Sequence, residues 1–187
     1  MYNTWEQREL GVLGNTYTGL SGKTKDDFGH GNAKYITYLN VFSNPISNID
    51  CVDLIEKDER QNEVRYSDVL FTTSSETPEE VGMSSVWLGE MKDIYLNSFC
   101  FGYRPLISFN PYFLGNLLRS PSVRKDIQLL AQGISRYNIS KSKLLNISIK
   151  FPISEEQNKL GTLFKEIDQT ITLHQRESKL NFEEVII

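Results

Sequence analysis

From Ser154 onward the chain has little choice but to form one long helix. Ser154-Glu155-Glu156-Gln157 follows Pro152 as a capping box: the serine oxygen accepts from a first-turn amide and the glutamine reaches back. Leu160, Phe164, Ile167, Ile171 and His174 then recur at spacings of four, three, four and three, the seam of a coiled coil. No proline follows Pro152 and no glycine follows Gly161. Over residues 154–181 such a helix runs roughly 42 Å, beyond the body of a small domain. A single helix cannot cover its own seam. It either pairs with a second helix or packs back on its own domain, and the heptad spacing favours a partner.

The preceding 150-odd residues suffice for one domain with a sizeable core. "KYITYLNVF" (34–42), "SDVLFTT" (67–73) and "SVWLGEM" (85–91) read as strands. Leu145, Ile147, Ile149 and Phe151 alternate with polar residues, which marks a strand with one buried face. Before it, Asn110 caps a helix with Pro111 in its first turn, and Ser120 does the same for Pro121. The second of these places Val123, Ile127, Leu130 and Ala131 on one face and stops at Gly133. Strands and helices in this irregular order predict an α+β fold: a mixed globular domain at 1–152, then a coiled-coil helix at 153–187.

Charge is segregated along the chain. Residues 44–99 hold twelve acids against four bases, whereas in 100–152 eight bases face only Asp126. The net charge of −4 argues against a uniformly basic nucleic-acid binder, but one basic face among acidic ones remains open. The alternative is that these bases merely solvate helix surfaces. The acid-rich stretch 53–68 reads as a solvated face or as a docking surface for a protein. Cys51 and Cys100 have no C-x-x-C spacing and read as inert thiols of a reducing cytoplasm. No membrane span and no signal pattern is expected, and no metal site.

Several fragments mimic chemistry without completing it. "YTGLSGKTKDDFGHG" (17–31) contains Gly22-Lys23-Thr24, but a phosphate loop requires a glycine where Tyr17 stands. Gly11 and Gly14 also make a buried strand unlikely to feed that loop. "NPYF" (110–113) lacks the second proline of an amino-methyltransferase motif, and capping explains Asn110-Pro111. His30 and His174 have no companions for a hydrolase or metal site.

Taken together, "WEQRELGVLG" (Trp5, Arg8, Leu10, Gly11), "TGLSGK", "YITYLNVF", "DVLFTTSSETPEEVG", "GISRYNIS" (133–140) and "FPISEEQNKLGTLFKEIDQTITLHQ" (151–175) resemble the specificity subunit of type I restriction-modification systems. The resemblance implies one target recognition domain joined to one spacer helix, half of the usual two-domain subunit. It implies a sequence-specific binder of double-stranded DNA, without catalysis of its own, that recruits methyltransferase and restriction subunits. S-adenosylmethionine, ATP and Mg²⁺ would then belong to those partners, and no cofactor to this chain. A homodimer through Leu160, Phe164, Ile167, Ile171 and His174 would restore two recognition domains and read a symmetric split site.

Within this resemblance the loop Thr18, Gly19, Ser21, Gly22, Lys23, Thr24 and Lys25 is a candidate for DNA contact. Its glycines permit close backbone approach, its lysines neutralise phosphates, and its hydroxyls donate to phosphate or base edges. Arg104 adds a further basic candidate. Arg136, Tyr137 and Asn138 form a second group, since arginine pairs with guanine and asparagine with adenine through two hydrogen bonds. Arg136 and Asn138 are equally suited to fixing a turn before the last strand. The rival function is a protein–protein interaction module with no DNA sequence preference.

Overall fold

In the computed structural model, which describes residues 5–184 and side chains as far as Gln175, helices and strands alternate irregularly. The chain opens with strand β1 (Glu6–Glu9), a single helical turn α1 (Leu10–Leu13) and strand β2 (Gly14–Thr18). A 3₁₀ turn at Lys25–Asp27 leads into β3 (Phe28–Ile36) and helix α2 (Tyr38–Ser43). Strands β4 (Val52–Ile55), β5 (Val69–Thr72), β6 (Ser74–Ser75), β7 (Ser84–Val86), β8 (Ile94–Leu96) and β9 (Cys100–Pro105) follow. Helices α3 (Pro111–Leu118) and α4 (Pro121–Gln128), strand β10 (Tyr137–Asn138), helix α5 (Lys141–Leu144), strand β11 (Ser148–Phe151) and helix α6 (Ser154–Glu184) complete it. This is the expected α+β class with a long C-terminal helix.

A four-stranded antiparallel sheet in the order β2-β9-β5-β7 organises the core. All of β5 is buried because both faces of the sheet are covered. Val69 and Phe71 join Phe113, Leu114 and Leu118 of α3, Val123 and Ile127 of α4, and Ile149 and Phe151 of β11. Leu70, between them, points the other way into a cluster of Ile36, Trp87, Ile94 and Leu96. Phe71 and Phe101, directly opposite in register, stack at 5.4 Å. A smaller sheet, β4-β3-β8, flanks this second cluster, and β1 pairs with β11 so that the two ends of the globular part meet.

Several expectations are corrected. The 34–42 segment is a strand only to Ile36; Thr37 then caps α2, its hydroxyl accepting from Asn40 N at 3.3 Å. Residues 85–91 leave the sheet after Val86. The strand that feeds the 17–31 loop, β2, is largely open to solvent, in keeping with the expectation that no buried strand leads into it, and no long helix follows. Ser120 precedes α4 as expected, but its hydroxyl lies 3.2 Å from that of Ser122 and makes no capping bond. That helix ends at Gln128, so Leu130 and Ala131 pack from a turn beyond it.

Helix α6 starts at Ser154, and Gln157 does not close a capping box. Its amide donates to Pro152 O at 2.9 Å while its carbonyl accepts from Asn110 N at 3.2 Å. Asn110 in turn caps α3 through Phe113 N at 3.1 Å and donates to Asn158 Oδ1 at 3.0 Å. Gly161 makes this contact possible, since a Cβ there would sit 2.0 Å from Asn110 Oδ1. The seam divides in two. Leu160 and Phe164 pack on the domain's own core, while Ile167 and Ile171 are 45% and 49% exposed. His174 lies further along on the exposed part of the helix. No helix among the described residues is long and apolar enough to cross a membrane.

Candidate nucleic-acid interface

One end of each of the two segments singled out in the sequence reaches a shared concavity, while Gly22–Lys25 and Arg136–Asn138 do not line it. Thr18, Gly19, Leu20 and Ser21 form one wall, Ile139, Ser140 and Lys141 another, with Thr73, Ser98, Cys100 and Phe101 between them. The hollow has a volume of about 470 Å³. Its floor is laced by backbone bonds: Leu20 N to Leu96 O at 2.8 Å, Thr73 N to Phe99 O at 2.8 Å, and Ile139 N to Thr73 O at 3.0 Å. Gly19 is required there, because a Cβ would lie 2.2 Å from Asn97 O. Thr73 and Ser98 escaped sequence reasoning. Thr73 falls at the end of a segment read as strand, and Ser98 in a short turn before β9, a signal that marks a loop without saying what it faces.

The lysine loop is held in shape by carboxylates. Lys23, its side chain only 10% exposed, reaches Asp58 at 3.2 Å and Asp27 at 3.5 Å. Desolvation pulls the Lys23 ammonium down, and its bonds to Asp58 and Asp27 outweigh that, so its pKa is raised. Thr24 and Asp27 close a small capping box around the 3₁₀ turn. Gln61 clasps Ser21 from both sides, accepting from its N–H at 3.0 Å and donating to its carbonyl at 3.1 Å. Asn62 donates to both oxygens of Thr18 at 3.2 Å. Gly22 adopts φ +65° in open space, and Lys25 is exposed. The acid-rich 53–68 segment therefore serves, in part, as the inner brace of this loop.

Arg104 is elsewhere. It bonds Asp68 at two points, lies 4.9 Å above the Tyr17 ring, and donates to Glu63 O at 2.9 Å. Two other bases of the 100–152 segment also face inward. Arg119 donates to Ser84 O, Val41 O and Phe42 O, the last two at the C-terminal end of α2. Burial lowers its pKa to about 10, helped by the nearby Arg124 charge. Arg124 is held by Glu79 O, Val81 O and Gly82 O. The basic segment is thus less of a surface patch than its composition suggests.

Arg136, Tyr137 and Asn138 belong to a hairpin. Gln132 and Asn138 exchange backbone bonds at 3.0 and 2.9 Å, and β10 pairs with β6 through Tyr137↔Ser75 and Asn138↔Ser74. Asn138 Nδ2 also donates to Arg136 O at 3.4 Å. The Arg136 side chain is exposed, as are those of Lys25 and Lys143. Asn138 thus combines an exposed position with a turn-fixing bond. Among the described residues no group of three or more His, Cys, Asp or Glu could hold a metal ion.

Fold and concavity define an α+β domain carried on a long helix. The chain belongs to the type I restriction modification DNA specificity domain family, whose model matches residues 2–181. Its fold is similar to that of the type-I restriction-modification S subunit from M. genitalium, at 16% identity, with a TM-score of 0.60 over 90% of this chain. It is likewise similar to the HsdS subunit from Thermoanaerobacter tengcongensis, at 18% identity and a TM-score of 0.62 over 95% of this chain. A chain from a structure on complex assembly and conformational transition of the type I R-M system matches at 17% identity and 0.64 over 95%. This chain spans only 40%, 40% and 41% of those three, respectively. No curated protein matches it.

Proposed function

We propose that this chain is a sequence-specific DNA-binding half-subunit of a type I restriction-modification system. Residues 1–152 are the target recognition domain and 153–187 the spacer helix. The observation that carries this reading is the convergence of Thr18–Ser21 with Ile139–Lys141 on one concavity within a family of DNA specificity domains. Lys25 and Lys141 neutralise phosphates, Arg136 meets a phosphate or a guanine, and Ser21, Thr24, Tyr137 and Asn138 serve base edges or sugars. Lys23, Gly19 and Arg104 keep the surface in shape. The chain has no catalysis of its own and works in the cytoplasm, where it brings methyltransferase and restriction subunits to one half of a bipartite site. The exposed half of the α6 seam, Ile167 and Ile171 with His174 beyond them, pairs with a second copy or with a partner helix.

Enrichment from a random-sequence duplex pool, with and without methyltransferase subunits, tests this. A short motif is expected. No motif in either preparation would favour the protein-interaction module instead.

A further inference from the structure

The hairpin that carries Arg136 ends in a residue that neither capping nor packing explains. Ile134 is 98% exposed, at the tip of the loop closed by Gln132 and Asn138. The tip is tightly built. Gly133 adopts φ +140°, and a Cβ there would lie 2.0 Å from Arg136 O. Behind it, Tyr137 and Asn138 pair with β6, and Ile139 N bonds Thr73 O in the floor of the concavity. A β-branched side chain with little rotamer freedom therefore stands on a braced support. Gly133, Ser135 and Arg136 flank it, and none of them covers it.

A lone exposed aliphatic is commonplace, but one at a braced, glycine-dependent tip beside an exposed arginine has the form of a wedge. Unstacking a base step costs a few kcal/mol, so a wedge requires a support that does not yield. Resting on the DNA-binding reading above, we infer that Ile134 inserts against one base step of the target and unstacks it. Arg136, two residues on, anchors the adjacent phosphate or guanine. The favoured step is pyrimidine–purine, TA or CA/TG, because these unstack most easily. Ile134 is thus a specificity-determining residue that forms no hydrogen bond.

The test is pool enrichment with the full chain and its Ile134→Ala and Ile134→Leu variants, followed by 2-aminopurine fluorescence at the preferred step. The unaltered chain should enrich a motif containing a flexible step and raise the fluorescence there. Ile134→Ala should bind that motif roughly tenfold more weakly, lose preference at that step alone, and leave the fluorescence unchanged. Ile134→Leu should retain both. An identical motif and affinity for Ile134→Ala, or no fluorescence rise with the unaltered chain, overturns the wedge while sparing the DNA reading. A pool in which the unaltered chain enriches nothing overturns both. Thermal unfolding of the three proteins should coincide, because the side chain touches no core.

Discussion

Asp68 grips Arg104 at two points, Oδ1 to Nε at 2.9 Å and Oδ2 to Nη2 at 2.7 Å, from a position only 1% exposed. The same carboxylate accepts from Tyr17 Oη at 2.7 Å and Arg65 N at 2.9 Å. Burial and then the Asp68 charge push the Tyr17 phenol well above its usual range, so Tyr17 stays a donor. Removing Arg104 would leave a buried carboxylate with one charge partner fewer. Arg104→Met should therefore destabilise the domain by about 3 kcal/mol, the low end for a buried pair because the guanidinium is partly exposed. Urea unfolding measures this. The enriched DNA motif should not change, which separates a structural arginine from a base reader.

The clasp on Lys23 has a defined pH window. Hydrogen bonds from Arg60 and Gln61, with a smaller part from Lys23, hold Asp58 below its ordinary 3.8, and bonds from Thr24 lower Asp27. Groups lowered on folding contribute stability above 3.8, which is lost as pH falls through their folded values. Lys23, raised above 10.5, contributes below that pH and loses its contribution as pH rises through its folded value. The difference in melting temperature between the unaltered chain and Lys23→Met should be widest between these limits and shrink on both sides. A difference that fails to shrink as pH rises above 10.5 contradicts the clasp.

Two glycines of the same loop should respond differently to alanine. At Gly19 the new Cβ meets Asn97 O at 2.2 Å and Cys100 O at 2.7 Å, all backbone, so the cost should be about 1–3 kcal/mol with distortion of the concavity. At Gly22 nothing lies within 4 Å, and only the left-handed φ of +65° opposes the change, at about 1 kcal/mol. Gly19→Ala should weaken DNA binding beyond its loss of stability, and Gly22→Ala should not. Urea unfolding with gel shifts on one duplex distinguishes them.

The parts of the fold legible in the sequence are those specified by near neighbours. Asn110 before Pro111 announces a cap, and the alternation of Ile147, Ile149 and Phe151 announces a buried face, because capping and strand period involve a few consecutive residues. Arg104, Arg119 and Arg124 look like surface charge because their acceptors, Asp68, the 79–84 backbone and the end of α2, lie far away in sequence. Tyr38–Ser43 has strand composition, yet the Thr37 cap and the turn of the chain after β3 make it helical. The 17–31 segment is legible as a loop from its glycines and polar residues. That Thr73 and Ser98 lie between it and Ile139–Lys141 depends on sheet order, which periodicity does not encode.

The split seam of α6 separates stability from association. Phe164 packs on the domain core and is half-buried, so Phe164→Ala should cost about 1–2 kcal/mol, less than for a fully buried phenylalanine. Ile171→Asp should cost less than this, since that side chain is half exposed at the rim of a hollow shared with Asn44–Ile46. It should also reduce any self-association seen by light scattering, or binding of a partner helix. If both variants lose stability equally, the outer seam is part of the domain core.

Salt dependence ranks the basic residues by where their charges already are. A lysine that neutralises a phosphate contributes about −0.9 to the slope of log affinity against log salt. Lys25 is exposed and Lys141 lines the concavity, so Lys25→Ala and Lys141→Ala should each make the slope shallower by roughly that amount. Lys23 is already neutralised by Asp58 and Asp27, so Lys23→Met should leave the slope nearly unchanged. Arg136→Ala tests more. It should reduce the slope if the guanidinium meets a phosphate, and relax one base position if it meets guanine, at about 1–3 kcal/mol. Filter-binding isotherms on the enriched duplex at four or more salt concentrations provide the slopes. A slope shallower by one lysine's full share in Lys23→Met would mean that DNA opens the Asp58 clasp on binding.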